Sequence, residues 1–354
     1  PKKMNTYSEL VRPVLRRVQG YEPGEQPKEG PILKLNTNEN PYGPSPKVGA
    51  AICRAIPRLK RYPDPDCSRL RAKIAEVYGV PESCTLVTNG SDEAIRLVFE
   101  GLLDPCERLI LPVPTYTLYD VLATFRSAEV VRVQFGDDFE LPPLPTAGKL
   151  LVLPNPHVPS GVAFAVERLA ALARDFQGLL LLDEAYVDFG AESAIGLVGQ
   201  LENVAVLRTF SKSFSLAGLR VGFLAGPPWL IETLFKLKDS YNVSHVAQAG
   251  ALAALEDIGW MELNAKRIME ARDFTRYHLL SLGFSVPISS ANFLLAQRPG
   301  VDLYPLYLEL KRRNLLVRYF ATPGLFDRIR ISIGKASEME FFLETLQKAL
   351  VSLA

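Results

Sequence analysis

The stretch with the most chemistry in this chain is Thr209-Phe210-Ser211-Lys212-Ser213-Phe214-Ser215-Leu216-Ala217-Gly218-Leu219-Arg220. It stands between two apolar, strand-like runs, Val204 to Leu207 and Val221 to Ala225. A lysine between core strands is unusual, because lysine is seldom fully buried without a partner. A buried amine loses its proton readily, which suits Schiff-base chemistry with a carbonyl compound. The hydroxyls around it and the guanidinium of Arg220 suit a phosphate. Together these groups suggest pyridoxal phosphate held covalently on Lys212. Taken alone, the stretch reads equally well as a surface loop with a solvated lysine, so the rest of the chain decides.

The elements that must position these groups follow a rhythm. Short apolar runs occur at Leu86–Thr88, Leu109–Val113, Val130–Phe135, Leu150–Leu153, Leu179–Leu182, Val204–Leu207 and Val221–Ala225. Helix-compatible stretches, Asp92–Leu103, Tyr116–Ser127 and Val166–Phe176, separate several of them. Strands alternating with helices argue an α/β architecture with a parallel sheet buried on both faces. Ligands of such sheets sit beyond the carboxyl ends of the strands, so the informative residues should follow each run.

They do. Gly90-Ser91-Asp92 follows the first run and opens a helix, whose free N–H groups and dipole favour an anion; simple capping by Ser91 explains the same residues. Tyr116 follows the second, as a ring able to stack on a flat ligand or to join the core. Pro154-Asn155-Pro156-His157-Val158-Pro159-Ser160-Gly161 follows the fourth; a lone histidine there is more often structural than catalytic. Asp183 follows four consecutive leucines, and a carboxylate at the end of a buried strand needs a cationic partner, a pyridinium or an arginine. Earlier in the chain, Leu35-Asn36-Thr37-Asn38-Glu39-Asn40-Pro41-Tyr42-Gly43 is rich enough in amides to line a polar pocket, or to cap itself. Proline holds Arg61-Tyr62-Pro63 extended, presenting Tyr62 from a rigid loop.

At 354 residues the chain has length for two domains. We expect a large domain over 41–247 and a small α+β domain over 248–354. Residues 1–40 form an arm, with Pro23, Pro27 and Pro31, and a segment joining the small domain. Strands are expected at Asn292–Ala296, Leu315–Phe320 and Ile329–Ile333, with a capping box at Ser337-Glu338-Met339-Glu340 opening the last helix. Arg318 and Arg330 lie on those strands, solvated by default; were they to converge, they would bind a phosphate or carboxylate. The net charge of +1 leaves no electrostatic footprint for nucleic acid or membrane. No apolar run approaches the roughly 20 residues that span a bilayer, and Pro1-Lys2-Lys3-Met4 does not read as a secretory signal. Cys53, Cys67, Cys84 and Cys106 lack paired spacing and a histidine cluster, which argues reduced thiols in a cytoplasmic protein and no metal.

These motifs, in this order, resemble the class I/II pyridoxal-phosphate aminotransferases of fold type I, over nearly the whole chain from Asn36 to the final helix. Leu35-Asn36-Thr37-Asn38-Glu39-Asn40-Pro41-Tyr42-Gly43, Arg61-Tyr62-Pro63 and Leu207-Arg208-Thr209-Phe210-Ser211-Lys212 resemble the histidinol-phosphate branch. The resemblance implies a large domain with a mostly parallel seven-stranded sheet. It implies that Lys212 forms the Schiff base and shuttles a proton, that Asp183 pairs with the pyridinium nitrogen, and that Tyr186 donates to the cofactor's phenolic oxygen. It places Tyr116 on the ring, and Gly90, Ser91, Asp92, Thr209, Ser211 and Arg220 on the phosphate. Tyr62 would reach the neighbouring subunit's phosphate, making a homodimer. Arg318, Arg330 and Asn40 would face the amino donor and the 2-oxo acid acceptor. The family usually has Asn where this chain has Val158, and valine cannot donate a hydrogen bond. The imine pKa is therefore expected to rise unless His157 turns in. Competing readings are an aminotransferase for aromatic or other amino acids and a threonine-phosphate decarboxylase; a ligand-sensing regulator would need a DNA-binding domain for which this length leaves no room.

Overall fold

The computed structural model describes residues 7–16, 18, 20–21, 24–26, 31–322 and 324–353. The opening Pro1-Lys2-Lys3-Met4, with Pro23 and Pro27, lies outside them. Among the described residues twelve strands are formed: β1 (Leu33–Lys34), β2 (Thr85–Thr88), β3 (Arg108–Val113), β4 (Glu129–Gln134), β5 (Ala147–Pro154), β6 (Gln177–Asp183), β7 (Val204–Thr209), β8 (Gly222–Ala225), β9 (Phe293–Gln297), β10 (Leu315–Leu316), β11 (Arg318–Tyr319) and β12 (Arg328–Ser332).

Seven of them make one sheet in the order β2-β8-β7-β6-β5-β3-β4. The pairs from β7 to β4 are parallel, whereas β8 runs antiparallel to both β2 and β7. Period-two alternation sends Leu180 and Leu182 into one apolar layer and Leu179 and Leu181 into the other. That is why β6 reads as an unbroken leucine run: both faces are covered by helices. The helices Ser91–Leu102, Leu118–Arg126 and Pro228–Leu237 bury their apolar residues on one face.

The smaller sheet is antiparallel, β11-β12-β9, and the helices Ile258–Ser281, Tyr304–Arg312 and Ala336–Leu353 complete its unit. The helix His245–Leu255 crosses the expected division at 247 and packs against the helices Pro46–Ala55 and Ser68–Tyr78. In the N-terminal segment, β1 pairs in parallel with β10.

Three local expectations are corrected. The helix after β3 starts at Leu118 rather than Tyr116, whose carbonyl only accepts the first turn's bond from Tyr119 N–H at 3.2 Å; Tyr116 is thereby left in the loop at the sheet's edge. The run Leu315–Phe320 is two short strands serving two different sheets. The last helix starts two residues earlier than the capping box implied, and Glu338, not Glu340, supplies the reciprocal carboxylate, accepting from Lys335 N–H at 2.6 Å.

Candidate active site

The register Thr209↔Gly222 closes residues 210–221 into a loop beyond the carboxyl end of β7. Lys212 lies half-buried in this loop, its Nζ 3.3 Å from the Thr37 carbonyl and 5.4 Å above the Tyr186 ring. The backbone around it is clamped. Asn40 donates from Nδ2 to the carbonyls of Lys212 and Ser213 at 3.0 and 3.1 Å, and its Oδ1 accepts from Tyr42 N–H. Both ends of the Asn40 amide are thus engaged with backbone, so in this geometry it holds the lysine loop. Ser213 donates its hydroxyl to Asp188, which pairs with the buried Arg208, itself bridged to Glu184.

Asp183 ends β6 and is buried. Its Oδ2 accepts from the Tyr119 hydroxyl at 2.6 Å and its Oδ1 from Ala185 N–H at 3.1 Å. No arginine or lysine pairs with it among the described residues; Arg208 is spent on the neighbouring Glu184 and on Asp188. Burial pushes the Asp183 pKa upward, and the Tyr119 and Ala185 hydrogen bonds oppose that shift. A buried carboxylate without a counter-cation is costly unless a ligand brings one. Tyr119 went unnoticed in the sequence; the signal available was its place one helical turn after Tyr116.

Gly90 caps the helix Ser91–Leu102 with φ 78°. A Cβ there would lie 2.6 Å from the Arg220 guanidinium. Gly222 is equally constrained, since a Cβ would stand 2.8 Å from Ser91 N. Arg220, itself left-handed at φ 54°, donates to Ser211 Oγ at 3.3 Å and to Asp92 Oδ2 at 3.4 Å. Gly90, Ser91, Asp92, Ser211 and Arg220 are therefore neighbours, with a loosely held guanidinium beside a helix N-terminus. Thr209 is adjacent, its Oγ1 accepting from Ser211 N–H at 3.1 Å.

Tyr186 accepts at its hydroxyl from Asn38 Nδ2 at 3.0 Å. Tyr116 meets Tyr119 and Tyr21 edge-on, with centroids 5.5 and 5.3 Å away. Tyr62 is 78% exposed and stacks on Tyr241 at 4.5 Å. Arg318 and Arg330 are direct cross-strand partners on β11 and β12, so their side chains leave the same face. They converge rather than lying solvated on separate faces. The Arg330 guanidinium sits over Phe293 at 5.2 Å and Phe320 at 5.8 Å; one Nη donates to the Asn36 carbonyl, while Nε is buried without a partner. Burial, and Arg318 alongside, pull the Arg330 pKa down. Neither arginine pairs with a carboxylate among the described residues.

His157 does not turn in. Its Nε2 donates to the Pro114 carbonyl at 2.8 Å and its Nδ1 accepts from the Ser160 hydroxyl at 2.8 Å, with Phe135, Phe139 and Phe164 around it. Burial holds its pKa down to about 4, so the ring is neutral.

A buried carboxylate lacking a cation, a glycine-floored anion cup with an arginine, and a lysine between them fit pyridoxal phosphate: ring nitrogen at Asp183, phosphate at Gly90–Asp92 and Arg220, carbonyl carbon at Lys212. The fold and these residues define a pyridoxal-phosphate enzyme. The sequence profile named Aminotransferase class I and II matches residues 30–346, and the chain belongs to that family. Among curated relatives, a histidinol-phosphate aminotransferase of Bradyrhizobium diazoefficiens is 42% identical, covering 97% of this chain and 100% of its own. One from Nostoc is 40% identical over 94% of this chain and 96% of its own. Among solved structures, histidinol-phosphate aminotransferase from Sinorhizobium meliloti, in complex with pyridoxal-5'-phosphate, superposes with a TM-score of 0.86 at 23% identity. It covers 99% of this chain and 100% of that one.

Proposed function

We propose that this aminotransferase exchanges an amino group between L-histidinol phosphate and 2-oxoglutarate, giving imidazole acetol phosphate and L-glutamate, a step of histidine biosynthesis. The observation that carries the substrate reading is the facing pair Arg318 and Arg330, which no carboxylate among the described residues neutralises. Such a pair needs an anion, and one site can take the phosphate of the donor and the carboxylate of the acceptor in turn. The names of the curated relatives support the same choice.

The cofactor, when bound, supplies an electron sink conjugated with the substrate's amino nitrogen. The chain's own residues do the rest. Asp183 keeps a proton on the ring nitrogen, with Tyr119 fixing the carboxylate. The glycine cup and Arg220 anchor the phosphate, so that the ring cannot slide. Lys212 takes the proton from the substrate carbon that bears nitrogen and returns it on the cofactor's side; its Nζ is aimed by Asn40 through the backbone. Tyr116 limits the ring's motion, and Tyr186 donates to its phenolic oxygen.

We read the active unit as a cytosolic homodimer. Tyr62, presented on the surface near the exposed Ile56 and Leu59, supports a contribution to a neighbouring subunit, and four free cysteines suit a reducing compartment. Among the described residues no helix is long and apolar enough to cross a membrane.

The deciding experiment mixes the cofactor-loaded protein with histidinol phosphate, glutamate, phenylalanine, tyrosine and threonine phosphate, and follows the cofactor's visible band. Fast bleaching by the first two alone is expected. Equal or faster reaction with the aromatic acids would make it an aromatic aminotransferase. Carbon dioxide release from threonine phosphate would make it a decarboxylase.

A further inference from the structure

The hydroxyl of Tyr186 carries one proton, and where that proton points decides what the residue can do. Its neighbour in the protein is the amide of Asn38. Asn38 is 1% exposed, so water cannot satisfy it, and it adopts the left-handed conformation at φ 55°, which asparagine tolerates better than most residues. Three bonds fix it there. Its N–H donates to Ser332 Oγ at 2.8 Å, its carbonyl accepts from Asn292 Nδ2 at 3.0 Å, and its Oδ1 accepts from the Ser332 hydroxyl at 2.9 Å.

The Ser332 bond sets the amide's direction. Turned over, the amide would aim a second donor at Ser332 Oγ and leave that buried hydroxyl with nothing to donate to, a net loss. In the arrangement seen, Oδ1 faces Ser332 and Nδ2 faces Tyr186 at 3.0 Å. Tyr186 is an acceptor toward the protein, and no acceptor for its own proton is present among the described residues. That proton is left to point away from Asn38, on the ring that Lys212 Nζ overlies at 5.4 Å. A hydroxyl that accepts a hydrogen bond also becomes a stronger donor.

We infer that Asn38, held by Ser332, is a positioning residue that forces Tyr186 to act as a donor toward the phenolic oxygen of the bound cofactor. The inference rests on the reading of Tyr186 given under Proposed function. It matters more in this chain because Val158 and the committed His157 supply no second donor. It also links Tyr186 to the anion site, since Ser332 stands two residues from Arg330 on the same face of β12.

The test is a pH titration of the visible absorbance of the protein loaded with pyridoxal phosphate. Losing a donor to the phenolic oxygen raises the midpoint, so Tyr186→Phe should move it up by about one unit or more. Asn38→Asp replaces the donor by an acceptor of the same shape, draws the Tyr186 proton inward, and should raise the midpoint by about one unit. Added to Tyr186→Phe, the same substitution should shift nothing further. Should Asn38→Asp fail to fold, Ser332→Ala carries the test alone: it frees the amide to turn and should raise the midpoint by a smaller amount, again only when Tyr186 is present. Equal shifts in both backgrounds would show a general field effect and overturn the inference, as would an unmoved midpoint in Asn38→Asp and Ser332→Ala. An unmoved midpoint in Tyr186→Phe would instead remove Tyr186 from the cofactor, a failure of the underlying reading that the titration shows separately.

Discussion

Asp183→Asn should make the cofactor-free protein more stable and the enzyme nearly inert. A buried carboxylate without a counter-cation costs several kcal/mol even after relaxation. Tyr119 and Ala185 return about 1.5–3 kcal/mol each through charge-assisted bonds. Asparagine drops the charge; its Oδ1 still accepts from Ala185 N–H and its Nδ2 donates to the Tyr119 hydroxyl, whose bond reverses, about 0.5–1.5 kcal/mol each. The balance favours the variant by about 1–3 kcal/mol, or about 2–6 °C in melting temperature. The pH dependence has a definite sign. Burial raises the Asp183 pKa in the folded chain above its ordinary 3.8. Between those two values the folded chain holds the extra proton, so wild-type stability falls as pH rises through that window and is level above it. The advantage of asparagine therefore opens as pH rises above 3.8 and is complete once pH exceeds the raised folded-state pKa. Thermal unfolding of stripped and reloaded protein at acid and neutral pH measures it. Reloading should stabilise wild type far more than the variant, and kcat should fall about 10²–10³-fold for loss of a preorganised charge. A cofactor-free variant clearly less stable than wild type at neutral pH would refute the reasoning.

Gly90→Ala puts a methyl group 2.6 Å from the Arg220 guanidinium at φ 78°; cofactor affinity by equilibrium dialysis should weaken at least about tenfold. Arg330→Ala should raise KM for both the phosphorylated donor and 2-oxoglutarate about 10²-fold or more while the cofactor's absorbance persists, with Arg330→Lys restoring part of it. His157 is held at about 4 against an ordinary 6.5, so the folded chain loses about 3 kcal/mol as pH falls through that interval. His157→Gln should remove this acid-side loss, seen as urea midpoints that approach or cross those of wild type near pH 4.5; parallel curves would refute it.

Much of the architecture is legible because its signals are local. Apolar runs of three to six residues mark the strands of the large sheet, and the helix-compatible stretch Val166–Phe176 matches the observed helix Val166–Asp175 to within one residue. The order of chemistry-bearing residues at strand ends is legible for the same reason, since β6 ends on Asp183 and β7 on Thr209. What escapes is the layer that aims them. Tyr119 reaches Asp183 across 64 residues of sequence, Asn38 reaches Tyr186 across 148, and Asn40 reaches the Lys212 carbonyl across 172. No spacing rule encodes such contacts; they exist only once the sheet brings its strand ends together. The split of Leu315–Phe320 is hidden likewise, because an apolar run does not say which partner each half will take.

The short pairing of Leu33–Lys34 with Leu315–Leu316 makes the two halves of the molecule a mechanical linkage. Ser332 N–H extends the tie to the Leu35 carbonyl. Within five residues of that carbonyl the same strand of chain grips Tyr186 through Asn38 and the lysine loop through Asn40. The tie at Leu35 and the grip of Asn40 on the lysine loop are thus joined by five residues of backbone, so a displacement of the small sheet would be felt at Lys212. If Arg330 takes the substrate's anion as proposed above, its capture and the aim of Lys212 would be coupled through this handful of peptide units.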